Sequence, residues 1–185
     1  MKKVLIPVLG AMICMAVWAF RAPAISVNPA TEMAAENVKW YTWEEAIAAN
    51  EKNPKKLVVD VYTDWCGWCK RMDAGTFSEA TVAAYLNKNF YPIKLDAEQK
   101  GDIKYKDHVF TFDSSAGRRG AHNLAITLLD GRMGYPSLVY LDEEQARITV
   151  APGYQTAEDF IKQLKFIAEE HYKTKTFQDY LSSAQ

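Results

Sequence analysis

Residues Leu57 to Tyr62 are branched or aromatic apart from the single acid Asp60, and shortly afterwards the chain reads Cys66-Gly67-Trp68-Cys69-Lys70-Arg71-Met72. The first stretch has the composition of a short buried strand, and the residues after the cysteines suit a helix. A strand that feeds directly into a helix carrying two thiols is a narrow constraint, because it sets both an α/β unit and the place of the sulfurs. Cys66 falls at the first turn, where unpaired backbone N–H groups and the positive end of the helix dipole favour a thiolate over a thiol. It is the expected nucleophile. Cys69 lies one turn further along the same face, near enough to close a disulfide with Cys66 and more shielded from solvent, so it is the expected resolving thiol. Spacing alone leaves three readings of such a pair: a redox couple, half of a zinc or iron–sulfur site, or an incidental pair. The third cysteine, Cys14, sits in the N-terminal apolar run, and His108, His122 and His171 are scattered without ligand spacing. A structural zinc site needs four ligands, so no metal is expected.

The N-terminus reads Met-Lys-Lys, then an apolar run from Val4 to Phe20, then Arg21-Ala22-Pro23-Ala24. This is the layout of a bacterial secretory signal over residues 1–24, cleaved after the small residues. The alternative is an uncleaved anchor, since about 17 apolar residues is the lower limit for spanning a bilayer. A membrane partner is expected only in that second case. Removal of residues 1–24 takes away Lys2, Lys3 and Arg21 and leaves 19 basic against 23 acidic residues, a net charge of −4 that gives no sign of nucleic-acid binding. Residues 25–37, with Pro29 and no period, read as a linker, and the domain is expected over 38–172.

Within the domain, Thr42-Trp-Glu-Glu45 matches a capping box before a helix reaching about Asn50, with Asn53-Pro54 ending it. Gly75 marks a break after the cysteine helix, and Ser78 or Thr81 begins a second helical piece. Phe90 to Asp96 reads as a strand parallel to the first, because a helix lies between. In the segment 101–119, Ile103 to Phe112 alternates as a small hairpin turned near Lys106-Asp107, with Ile103, Tyr105, Val109 and Phe112 on one apolar face. Ala121 to Leu129 returns to helical spacing. Thr156 caps a last amphipathic helix with Phe160, Leu164 and Ile167 inward, and residues 173–185 read as a polar tail.

Taken together, Asp60, Trp65-Cys66-Gly67-x-Cys69-Lys70 and the later Tyr135-Pro136 resemble the thioredoxin family. The resemblance implies a three-layer α/β fold, a central mixed β-sheet with flanking helices, into which 101–119 is inserted before the cis-proline region. It implies that Asp60 assists proton transfer from Cys69, with Lys94 beside it. It also implies a cis Pro136 that holds the Tyr135 backbone against the cysteines to bind substrate chain as an added strand. Trp65 and Trp68 either cover the site or form an apolar docking surface. Trp68 replaces the usual proline, and because linker residues tune thiolate stability, the redox potential and the direction of electron flow are not inherited. The implied activity is thiol–disulfide exchange on protein disulfides or thiols in the periplasm, with an unidentified redox partner and no cofactor beyond the Cys66–Cys69 disulfide. A client-binding or assembly module with little turnover is the alternative. The insertion is expected to select partners or to cover the sheet edge.

Overall fold

The computed structural model describes residues 37–183, so the signal or anchor reading of 1–24 and most of the linker lie outside the described residues. Lys56–Tyr62 form β1, and the sheet is built around it. Gly67–Ala74 (α2) and Ala80–Asn89 (α3) return the chain to Phe90–Asp96 (β2), which runs parallel to β1. Ser137–Leu141 (β7) lies antiparallel on the other side of β1, and Arg147–Pro152 (β8) completes the mixed order β2-β1-β7-β8. A central strand covered on both faces needs no polar alternation, which is why β1 is apolar between Lys56 and Tyr62 except at Asp60.

Side chains of a strand alternate between faces. Leu57, Val59 and Val61 therefore enter one core with Trp43 and Ala46 of α1 (Trp43–Lys52) and with Leu124 and Leu128 of α4 (Asn123–Leu128). Val58 enters the other core, with Met72 of α2, Leu86 of α3, and Phe160 and Leu164 of α5 (Ala157–Ala168). Asp60 shares the Val58 face, the side that carries the cysteine helix.

The helix starts follow the capping chemistry. Thr42 Oγ1 accepts from Glu45 N–H while Glu45 returns the bond to Thr42 N–H, closing a capping box. Thr156 caps α5 by accepting from Asp159 N–H. In α3 the N-cap is Glu79, with no side-chain cap bond, rather than Ser78 or Thr81; the Ser78 hydroxyl donates backwards to Ala74 and Gly75 carbonyls.

The insertion departs from its sequence reading. Ile103–Tyr105 (β3) and His108–Phe110 (β4) do form a hairpin turned at Lys106-Asp107. Its register pairs Ile103 with Phe110 and Tyr105 with His108, so Val109 falls opposite Lys104 on the outer face and is 46% exposed. Ile103 is buried in the first core, with Tyr105 and Phe110 packed against it. The hairpin face is therefore Ile103, Tyr105 and Phe110, and it packs on the first core. Phe112–Asp113 (β5) leaves the hairpin to pair with Ala121–His122 (β6), which shortens α4 relative to the expected 121–129. The tail also differs: after a 3-10 turn at His171–Lys173, Phe177–Ser183 forms α6, with Phe177 and Tyr180 against Phe166 of α5.

Gly120 closes the β5–β6 ribbon at φ +75°, and a Cβ there would stand 2.2 Å from the Phe112 ring and 2.8 Å from the Asp113 carbonyl. Both the left-handed backbone and the close approach require glycine. Gly120→Ala is expected to cost roughly 2–4 kcal/mol, combining backbone strain with overpacking. Urea unfolding should show a lower midpoint at unchanged slope, and an unchanged midpoint would contradict this account.

Candidate active site

Cys66 is the N-cap of α2, and its backbone N–H donates to the Thr63 carbonyl at 3.1 Å. Its Sγ accepts the Cys69 backbone N–H at 3.1 Å. The strand end thus delivers one sulfur onto a free helical donor at the positive end of the dipole, the arrangement that stabilises sulfur as thiolate. Cys66 and Cys69 are joined in a disulfide with Cα atoms 5.3 Å apart. Both are buried, at 5% and 2% exposure, so the expected contrast in shielding is small and the asymmetry of the pair lies in the N–H contact. Gly67, the first residue of α2, has no atom within 4 Å of where a Cβ would stand, so no close approach requires glycine there.

Asp60 is 1% exposed on the middle strand. Its register partner on β2 is Lys94, whose ammonium donates to Asp60 Oδ2 at 2.7 Å and also to the Asp73 carboxylate on α2. The rings of Trp40, Tyr62 and Phe77 surround that ammonium with centroids at 4.9, 4.8 and 5.1 Å. The other oxygen of Asp60, Oδ1, is buried with no hydrogen-bond partner among the described residues. Burial pushes the Asp60 carboxyl up to about 6, against the pull of Lys94 and with a smaller push from Asp73. For Lys94, burial favours the neutral form, but Asp60 and Asp73 outweigh it and hold the ammonium above its ordinary range.

The flanking aromatics are exposed. Trp65 and Trp68 are 52% and 55% accessible, although both sit beside the buried disulfide in the chain. The Trp65 indole N–H donates to Glu98, its ring meets Tyr135 edge-on at 6.1 Å, and the Arg119 guanidinium lies 5.4 Å from its centroid. Trp68 tilts against Tyr154, with Arg71 over both rings. Tyr135–Pro136 is a cis peptide, and the Pro136 carbonyl accepts from Gly153 N–H at 2.8 Å.

Of the residues singled out in the sequence, Cys66 and Cys69 pair at the start of α2, and Asp60 and Lys94 pair across β1 and β2 and reach α2 through Asp73, one turn after Cys69; Trp65 and Tyr135 form one flank and Trp68 another. The histidines take structural roles: His122 is buried and caps α4, His108 meets Phe110 edge-on, and His171 pairs with Glu169. Among the described residues no group of three or more His, Cys, Asp or Glu side chains is placed to hold a metal. Sequence reasoning missed Asp73, Glu98, Arg119 and Tyr154. Asp73 had a signal, since it follows Cys69 by four positions and so lies on the same helix face. The other three come from distant segments.

The family described as "Protein of unknown function, DUF255" (Thioredox_DsbH) matches residues 29–178. The chain belongs to this family. Among curated proteins it is 29% identical over 113 residues to an uncharacterized Caenorhabditis elegans protein, covering 60% of this chain and 13% of that one. It is 27% identical over 121 residues to spermatogenesis-associated protein 20 of Mus musculus (64% and 15%). It is likewise 27% identical over 124 residues to the thiol:disulfide interchange protein DsbD of Ralstonia nicotianae (66% and 17%). The chain thus spans less than a fifth of each of these relatives. Among solved structures, DsbH oxidoreductase superposes with a TM-score of 0.52 at 17% identity, covering 77% of this chain and 90% of that one. A thioredoxin-fold protein from Helicobacter pylori gives 0.53 at 15% identity, covering 82% and 88%. This DUF255 member has the thioredoxin fold, a mixed sheet flanked by helices with the cysteine pair at the end of the central strand.

Proposed function

We propose that the chain is a thiol–disulfide oxidoreductase acting on disulfides of protein clients. The observation that carries the reading is Cys66 at the N-cap of α2, its sulfur on the Cys69 N–H and already paired with Cys69. In the reducing direction, Cys66 thiolate attacks one sulfur of a client disulfide. A Cys66–client bond forms, the client S–S bond breaks, and the other client sulfur leaves as thiolate. Cys69 then gives its proton to the Asp60 carboxylate and attacks Cys66 sulfur, closing Cys66–Cys69 and expelling the second client thiolate. Two electrons pass from the dithiol to the client disulfide, and a dithiol redox partner returns the enzyme to its reduced form. The reverse sequence oxidises client thiols.

In this reading Lys94 holds the Asp60 charge in a site that would otherwise oppose it, and the Tyr135–Pro136 backbone, with Trp65 and Trp68, receives client chain. Gly67 and Trp68 occupy the linker between the sulfurs and set the stability of the thiolate. The disulfide is the only redox group the cycle uses. The N-terminal apolar run supports export to the periplasm, and no helix among the described residues is long and apolar enough to cross a membrane.

The test is multiple turnover on a protein disulfide with excess dithiothreitol. Many client bonds reduced per enzyme support the oxidoreductase, whereas one stoichiometric mixed disulfide without turnover supports a client-binding module that uses the pair as a latch. The direction follows from the reduction potential: a value near about −270 mV marks a reductase and one near about −120 mV an oxidase.

A further inference from the structure

Trp65, the residue before Cys66, opens onto a cleft of about 920 Å³, with Trp65 and Tyr135 on one wall and the Gly117–Ala121 loop on the other. Its size is in the range of pockets that bury a small ligand, or here a few residues of extended chain. Two guanidinium groups, those of Arg118 and Arg119, stand on the loop wall and are exposed. Neither forms an ion pair with a carboxylate among the described residues; Arg119 rests on the Trp65 ring. Glu98, the acid lining the cleft, is already engaged by the Trp65 indole N–H. Two guanidinium groups against one carboxylate leave the cleft lining net positive, with neither arginine paired to an acid among the described residues.

The loop is also built to hold its position. Asp113 Oδ1 accepts from both the backbone and the hydroxyl of Ser115, the Ala116 N–H returns to the Asp113 carbonyl, and β5 pairs with β6 on either side. Gly120 lets the loop close directly over Phe112. A basic loop anchored in this way is more than solvated surface, because the Arg119 guanidinium lies over the ring of Trp65, the neighbour of Cys66, while its N–H groups have no acidic partner among the described residues.

We propose that this cleft binds client polypeptide carrying an acidic side chain within a few residues of the reacting cysteine, its carboxylate taken by Arg118 and Arg119. Guanidinium matches a carboxylate in two parallel hydrogen bonds, which gives selectivity as well as attraction. Repulsion in the same cleft disfavours basic clients, so discrimination arises from both signs. The proposal rests on the oxidoreductase reading above and names its substrate class.

The experiment uses two disulfide-linked peptides that differ only in having Glu or Lys two residues from the cysteine, together with the cysteine-free version of each. The wild-type chain is expected to favour the Glu peptide in kcat/KM by roughly 10-fold or more, as charge-assisted hydrogen bonds allow. The preference should shrink with added salt, since the arginines are exposed. In R118A/R119A the Glu-to-Lys ratio should fall towards one, and in R118K/R119K it should be partly retained, because the charge stays and the fork is lost. Unfolding midpoints report whether each variant remains folded. Calorimetric titration of the cysteine-free peptides into the protein reads binding in the cleft without turnover. Equal binding of the Glu and Lys forms, or a preference that survives R118A/R119A, would overturn the proposal even if turnover is normal. Absence of turnover with every disulfide peptide, alongside selective binding of the Glu form lost in R118A/R119A, would instead remove the oxidoreductase reading and leave the acidic-segment site standing.

Discussion

Cys66→Ser is expected to reduce disulfide exchange to the uncatalysed background, whereas Cys69→Ser should accumulate a stable mixed disulfide with client and turn over little. The two sulfurs are chemically close but not equivalent. Cys66 Sγ accepts a backbone N–H at 3.1 Å from the N-cap position, where the dipole of α2 acts on it directly, and Cys69 supplies that N–H from within the first turn. An attacking thiol needs thiolate character, and a resolving thiol needs only to reach the mixed disulfide once it forms. Exposure does not separate the two, since both are buried in the disulfide form, so the asymmetry is predicted from the electrostatics alone. Alkylation of the reduced protein at mildly acidic pH, followed by mass mapping, checks it. Labelling of Cys69 before Cys66 would reverse the assignment, and a Cys66→Ser variant that still turns over would remove the mechanism.

The central strand was legible in the sequence because it depends on local rules. A continuous apolar run with one acid marks a strand buried on both faces, and a parallel partner with equal length places its fifth residue beside the fifth of β1. That register is what brings Lys94 to Asp60. The insertion was less legible because its structure depends on pairing between distant residues. Phe112 reads as the end of a hairpin, yet it pairs with His122 ten positions later, and nothing periodic links them. The hairpin face was misassigned at Val109 for a related reason: alternation along each arm continues through the turn only if the turn length is known, and a two-residue turn swaps the parity. The C-terminal helix was hidden by polar composition, although Thr176 accepting from Asp179 N–H is the same cap that was recognised at Thr156. The cleft between Trp65 and the Arg118-Arg119 loop has no counterpart in the chain order, since it forms only where the ribbon closed at Gly120, tied by His122 N–H to the Ala97 carbonyl, brings distant segments together.

Asp60→Asn is expected to make the protein more stable and less active at the same time. Burial raises the folded-state pKa of this carboxyl to about 6 from an ordinary 3.8. A group raised in this way contributes stability that is fully present below pH 3.8, where both states are protonated, and that is lost as pH rises through about 6. At neutral pH the folded protein therefore carries a buried charge that costs about 3 kcal/mol relative to the unfolded chain, since one pKa unit corresponds to about 1.4 kcal/mol. Asparagine removes that cost. Lys94 loses one partner but keeps Asp73 and its aromatic surround, so the expected gain is about 1–3 kcal/mol at pH 7.5, shrinking to little below pH 4. Denaturant unfolding across that pH range measures it. The kinetic effect runs the other way. A carboxylate that titrates near 6 can take the Cys69 proton at neutral pH, and general-base assistance of this kind contributes roughly 100-fold or more. Release of a preformed mixed disulfide should slow by about that factor in Asp60→Asn, and its pH profile should lose the inflection near 6, while alkylation of Cys66 changes much less. A destabilised variant at pH 7.5 would show that the Lys94 pairing outweighs desolvation, and equal slowing of alkylation and release would show that Asp60 acts on the thiolate of Cys66 and not as the proton acceptor for Cys69.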